Sequence, residues 1–321
     1  MKKILCFIMV TAMLIVAACA PQTKRSNTMV LCLPSTGVYA HSIVRAGVEA
    51  GTKDAGLTVI TAGEVELSAA ERIERYTSVV AEHKAGGAIV WSGDDTYYQM
   101  MRDMTADGVK IAVPYFHHEK ADTETFIGAN VTGNDKKRGY LAADTMVALL
   151  REKGITGGTI GIGATGAGGA PNQSYHYIYE RLEEIAPEYT LADTVFLGLE
   201  LSAATMKATG IINSNPDLVA VFADMSPVGG QAIVAAAENT GRDDLILITC
   251  DETKENLDLL EQGKLDALMV NDLYQSGYQC AQNLAKLMAG EEVEWYTEIE
   301  EKVLTRESDL TYYKELWNRI Q

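Results

Sequence analysis

Positive charge is scarce in this sequence. Lys and Arg number 27 against 44 Asp and Glu, for a formal charge of −17 over 321 residues. An acidic surface repels phosphate backbones and anionic lipid, which argues against nucleic acid or an anionic membrane as partner. Ordinary solubility is a sufficient account of it. Cysteine is scarce too, with Cys6, Cys19, Cys32, Cys250 and Cys280 and no CxxC pair. Cys32 and Cys250 lie in apolar runs and Cys280 in a helical pattern, which marks them as small buried hydrophobes rather than a disulfide framework. No HExxH or GxSxG occurs, and the scattered Ser, His and Asp lack the spacing of a triad. His117-His118-Glu119 has no evident fourth ligand and reads as an exposed polar loop, so no metal is expected. Lys136-Lys137-Arg138 is too short for a nucleic-acid patch. Beyond residue 16 no apolar run approaches the roughly 18 residues that suggest a membrane-spanning helix.

What is present begins with an export signature. Lys2 and Lys3 precede an apolar stretch, Ile4–Val16, interrupted only by Thr11. It is shorter than a comfortable membrane span and suits the core of a signal peptide. Val16-Ala17-Ala18-Cys19 follows, small residues before a cysteine, which resembles a bacterial lipobox with Cys19 as the lipidated first residue of the mature chain. Ordinary cleavage near Ala18 or Ala20, or an uncleaved anchor, are the alternatives. Residues 1–18 are thus expected as the signal and 19–27 as a polar tether. Removing the signal takes away only Lys2 and Lys3 among charged side chains, so the mature chain is more acidic still.

The remainder alternates short apolar runs with amphipathic segments. Strands are expected at Met29–Leu33, Leu57–Thr61, Gly87–Trp91, Lys110–Pro114 and Thr125–Ile127, with helices between them. After a helix near Asp135–Lys153 the rhythm restarts. Strands then fall at Thr159–Ile162, Thr194–Leu197, Leu218–Phe222, Leu245–Cys250 and Ala267–Val270, and one more over Glu298–Leu304. This alternation implies βαβ units, and continuous apolar strands imply parallel sheets covered on both faces. The fold class is therefore α/β, in two halves.

Gly161-Ile-Gly163-Ala-Thr-Gly166 satisfies GxGxxG after a strand. A dinucleotide loop opens a helix within its glycines; here Ala167–Ala170 intervene before Pro171. The glycines are expected instead to form a pliable loop at a cleft edge. No cofactor is expected, and an NAD-dependent enzyme is disfavoured.

Five blocks in order resemble the type I periplasmic binding proteins, in the branch of the ribose- and galactose-binding proteins. They are GVEAGTKDAGLTVI (Gly47–Ile60), AGGAIVW (Ala85–Trp91), IGANVTGNDKKRGYLAAD (Ile127–Asp144), NPDLVAVFADMSPVGGQAIVAAAENTGR (Asn215–Arg242) and LILITCDETKENLDLLEQGKLDALMVND (Leu245–Asp272). The resemblance implies two Rossmann-like lobes joined by a three-strand hinge, with crossings near Ala129–Gly133, Asn271 and Tyr296–Ile299. It places 28–131 with 272–295 in one lobe and 132–271 with 296–321 in the other. It implies a non-catalytic monomer that delivers a sugar or sugar-like solute to an ABC permease, or presents it to a sensor kinase or chemoreceptor, outside the cytoplasmic membrane.

Open α/β sheets bind ligands beyond the carboxyl ends of their strands. The candidates there are His41, Trp91, Tyr115 and Phe116 in one lobe, and Asn172, Tyr175, Asp224, Met225 and Asp251 in the other. Asn271 and Gln275 lie at the second crossing. Asp251 and Asn271 match positions that sugar-binding relatives use for hydroxyls. Each aromatic has core packing as its alternative, and Asp224 and Asp251 have helix capping. Tyr115-Phe116 stand where those relatives usually carry Asp-Arg, and the arginine opening a second-lobe helix is missing near Tyr175. The residues therefore also fit a modified sugar, a nucleoside or a cationic small molecule.

Overall fold

The structure is a computed structural model that describes residues 25–36, 39–63, 67–164, 174–224 and 228–320. Its first five strands are β1 (Ser26–Cys32), β2 (Thr58–Ala62), β3 (Ala85–Val90), β4 (Lys110–Pro114) and β5 (Ala129–Thr132). The next six are β6 (Gly158–Ala164), β7 (Tyr189–Leu191), β8 (Val195–Phe196), β9 (Leu218–Ala223), β10 (Ile246–Cys250) and β11 (Ala267–Val270). Two short ones close the series, β12 (Tyr296–Glu298) and β13 (Lys302–Thr305). One sheet runs β12-β5-β4-β3-β1-β2 with every pair parallel. The other runs β13-β11-β10-β9-β6-β7, with β8 also on β6, and only β13 is antiparallel to its neighbour.

Burial explains the apolar runs. Every residue of β3, β10 and β11 is buried, so neither face of these strands needs polar residues. Cys32, Cys250 and Cys280 are buried inside these layers and are not joined in disulfides. The helix Leu273–Ala289 lies on the first sheet against the helix Tyr39–Asp54, and glycine sets how close they come. A Cβ on Gly47 would stand 2.1 Å from the Tyr274 carbonyl oxygen, and one on Gly277 would stand 2.4 Å from that of Val44. The two backbones touch, as only glycine permits.

The chain changes sheets three times, after β5, after β11 and between β12 and β13. Several boundaries differ from expectation. Thr125–Ile127 is no strand: the amides of Phe126 and Ile127 both donate to the Thr123 carbonyl and close a helical turn, and the strand is β5. Glu298–Leu304 is not one strand but parts of two, in different sheets, so Tyr296–Glu298 belongs with the first sheet rather than the second lobe. Ser26 and Asn27, expected in the tether, already pair as β1. Gly163 lies inside β6 with Gly161 rather than in a loop, while Gly166 lies outside the described residues. Side chains added at Gly161 and Gly163 would meet Ile211 and Leu197 at 2.6 Å, so these two glycines admit neighbouring side chains to the sheet.

The last helix, Thr311–Ile320, spans the junction. Leu316 is buried in the first-lobe core and Tyr313 in a second-lobe cluster, while Trp317 packs against both.

Candidate functional site

In the first lobe the strand order reverses between β1 and β3, and the loops after these strands diverge there. The Trp91 amide donates to the Cys32 carbonyl at 3.0 Å, extending the β1–β3 ladder one residue past β3. This fixes the Trp91 side chain at the divergence, 8% exposed. Its ring stacks on Tyr115, with centroids 5.3 Å apart and planes 10° apart. His41 and Phe116 meet it edge-on at 5.0 and 4.9 Å. Four of the expected residues therefore form one aromatic wall. The core-packing reading holds as well, since the wall rests on the Leu31, Ile89 and Val131 layer.

Tyr115 pays a conformational cost for its position, with φ at 69°. Its amide donates to the Val131 carbonyl at 2.7 Å and to the Ser276 hydroxyl at 2.9 Å. Thr132 Oγ1 donates to its carbonyl. Ser276 in turn donates to Val131 O, so the helix Leu273–Ala289 braces the loop. Burial pushes the His41 imidazole down to about 4, against a hydrogen bond with Ser35, so the ring is neutral at neutral pH. The amides of β5 and the loop after β4 are joined by Asn130, which donates to Val113 O and Phe116 O and accepts from the His118 amide.

His118 corrects the reading of an exposed polar loop, since it is only 3% exposed. Its Nε2 must donate to the Ser92 carbonyl at 2.9 Å, because a carbonyl only accepts. Nδ1 is then free to accept from the Tyr98 hydroxyl at 2.8 Å. His117 and Glu119 are exposed and pair with each other at 3.6 Å. Among the described residues no group of three or more His, Cys, Asp and Glu is arranged to hold a metal.

In the second lobe Asp251 follows β10 with φ at 70°, its amide donating to Met269 O at 2.9 Å. Asn256 Nδ2 donates to the Cys250 and Asp251 carbonyls and holds this turn. Asn271, beyond β11, donates its Nδ2 to the Asp251 carboxylate. Both side chains are buried. The capping alternative fails for both aspartates. Thr253 caps the helix Lys254–Glu261, and Val228, without a side-chain bond, precedes the helix Gly229–Thr240. Asp224 instead stands buried at the end of β9, its amide donating to Gly163 O.

Beneath Asp251, Glu252 is 2% exposed and accepts from the Asn271 amide. Burial and then the neighbouring Asp251 charge push its carboxyl up to about 8. Gln275 is half-buried in the first turn of the helix Leu273–Ala289, its amide donating to Asp272. Tyr175 does not join the other candidates through any described contact. It is buried in the second-lobe core with Ile160, Ile178 and Phe222, its ring 4.1 Å from that of His176. Asn172, Met225 and Cys19 lie outside the described residues.

One turn of chain connects the two walls. Asn271 carries the acidic pair, and Ser276, five residues on, holds the Tyr115 amide. The other two crossings are joined by charge. Arg138 makes two bonds to Glu301, 2.9 and 3.0 Å, and one to Asp135 at 3.1 Å. Glu301 Oε1 also accepts from the Asn134 amide. Burial raises the Asp135 carboxyl to about 6 against the pull of Arg138. Thus Arg138, from the triplet too short for a nucleic-acid patch, is a buried hinge residue.

This architecture agrees with a family model described as a periplasmic binding protein domain, which matches residues 29–292. The chain belongs to the periplasmic binding proteins. Solved structures share the fold at low identity. GanP, a glucose-galactose binding protein from Geobacillus stearothermophilus, is 20% identical with a TM-score of 0.74, over 88% of this chain and 98% of that one. A sugar-binding protein of a sugar ABC transporter from Bacillus halodurans is 19% identical with a TM-score of 0.77, over 89% and 99%. The XylFII–LytSN complex matches at 17% identity with a TM-score of 0.72, over 88% and 98%. A periplasmic binding protein domain belongs outside the cytoplasmic membrane, and among the described residues no helix is long and apolar enough to cross one.

Proposed function

We propose that this periplasmic binding protein captures a sugar-like solute between its lobes and delivers it to the permease of an ABC importer. The observation that carries the reading is the pairing of an aromatic wall, Trp91–Tyr115–Phe116–His41, with a polar pair, Asp251–Asn271, at the carboxyl ends of strands in the two lobes. Rings cover the apolar face of a cyclic solute, and the carboxylate accepts from its polar groups. Asp224 and Gln275 are assigned to the same cleft, as are Asn172 and Met225. Tyr175 is assigned a supporting place behind it. Catalysis is not part of the reading. Closure about the three crossings shifts an open–closed equilibrium, and the partner recognises the closed form. Lipid on Cys19 tethers the protein to the membrane in this account, and it acts as a monomer.

A second reading, presentation of the solute to a sensor, is favoured by the XylFII–LytSN complex, in which a similar fold is bound to a second protein. Thermal melting against sugars, nucleosides, amino acids and polyamines tests the common part. A solute at about 100 times its Kd is expected to stabilise by about 2.7 kcal/mol. Stabilisation by no member of the panel would overturn the solute-capture reading. Solute uptake into vesicles carrying an ABC permease, with and without this protein, then separates transport from sensing.

A further inference from the structure

The polar side of the cleft is built from acceptors. The Asp251 carboxylate only accepts, so the Asn271 amide must turn its nitrogen toward it. That orientation leaves Asn271 Oδ1 as an acceptor, and this atom is buried without a hydrogen-bond partner. The residue as a whole is 5% exposed. An unmade buried acceptor costs about 1–3 kcal/mol, so the geometry calls for a donor that arrives from outside the chain. Asp224 adds one more buried carboxyl group on this side, while Glu252, raised to about 8, is protonated at neutral pH and adds no charge.

Two cations at the crossings are already committed, while Arg72, whose charge reaches His41, donates to the Tyr97 hydroxyl at 3.4 Å. Arg138 is held by Glu301 and Asp135, and Lys302 by Asp272 at 3.2 Å. On the opposite wall the Trp91 and Tyr115 rings offer faces that attract positive charge. His41 adds no positive charge to that wall, since burial holds it neutral.

We propose that the solute of this cleft carries a protonated amine on its ring, as an amino sugar does. The ammonium donates to the Asp251 carboxylate and to Asn271 Oδ1, and the apolar face of the ring lies on the Trp91–Tyr115–Phe116 wall. The proposal rests on the solute-capture reading and narrows it to a cationic ligand.

Isothermal titration of the purified chain tests it with glucosamine and galactosamine against glucose, galactose and N-acetylglucosamine. Each amino sugar is expected to bind at least tenfold more tightly than its neutral parent, and glucosamine at least tenfold more tightly than N-acetylglucosamine. Asp251→Asn is expected to remove that preference. If this variant does not melt cooperatively, the wild-type pH series serves in its place. Raising the pH through the titration of the sugar's own amine is expected to weaken glucosamine binding to the level of glucose, with glucose as the internal control. A neutral hexose that binds as tightly as its amine overturns the cationic proposal and leaves solute capture standing. Heat from none of the five sugars overturns the cationic proposal, and solute capture falls with it only if the wider thermal panel is also silent.

Discussion

Glu252 shows how a single carboxyl group connects the cleft to stability. Its side chain is buried beside Asp251 and its carboxyl is raised from 4.5 to about 8. A carboxyl whose folded value lies above its unfolded value binds protons more tightly when folded. Its contribution is therefore intact below about pH 4.5 and is lost as pH rises to about 8. Chemical denaturation across this window is expected to show stability falling by up to about 1.4 kcal/mol per pH unit from this group. Glu252→Gln keeps an acceptor for the Asn271 amide and is expected to flatten that slope, leaving the variant more stable than the wild type at pH 9. Trp91 acts on packing instead. Trp91→Ala is expected to cost about 3–5 kcal/mol in urea unfolding, because a buried ring with three aromatic neighbours leaves a cavity. At this scale the sequence was a fair guide to which side chains line the loops. The rule that ligands sit beyond strand ends selected His41, Trp91, Tyr115 and Phe116 before any ring distance was known. It did not select Ser276, Asn130 or His118, whose roles depend on backbone groups far away in the chain and leave no periodic trace. Tyr175 satisfied the same rule and nevertheless points into the core.

Among elements, the contact between the helices Tyr39–Asp54 and Leu273–Ala289 is the tightest feature of the first lobe. Gly277→Ala would push a methyl group against the Val44 carbonyl, which is backbone and cannot turn aside. A loss of about 1–3 kcal/mol is expected, read from the denaturation midpoint. Gly210 provides the opposite case. It lies inside the helix Leu201–Ser214, and an added Cβ there meets nothing within 4 Å. Gly210→Ala is expected to raise stability by about 0.5–1 kcal/mol in the same assay. Element type was legible in β3, β10 and β11, which are buried throughout and need only apolar residues, but not in β5, which is as buried yet has only four residues and includes Asn130 and Thr132. It failed over residues 298–304, where β12 and β13 are short, half-buried and separated by a change of sheet. Such a passage has the composition of one strand, and nothing local marks the turn from one lobe to the other.

For the molecule as a whole, the hinge is a matter of buried charge. Arg138 and Glu301 are about 5% and 6% exposed at their side chains and satisfy each other through two bonds. Removing one partner strands the other in a place that water does not reach. Glu301→Ala is expected to cost about 3–5 kcal/mol, measured by urea unfolding. The triplet Lys136-Lys137-Arg138 gave no hint of this, since the partner of Arg138 lies 163 residues away.

The order in which the strands are made has a consequence for how the protein comes into being. The first sheet waits for β12, at residues 296–298, to cover the edge of β5, and its core waits for Leu284, Ile299 and Leu316. A ribosome adds about 5–20 residues per second, so the interval between β5 and β12 lasts on the order of ten seconds. Throughout it the nascent chain displays an open parallel edge and an uncovered apolar face. Neither sheet is complete until β12 and β13 have been made, so neither lobe can mature early and shelter the other.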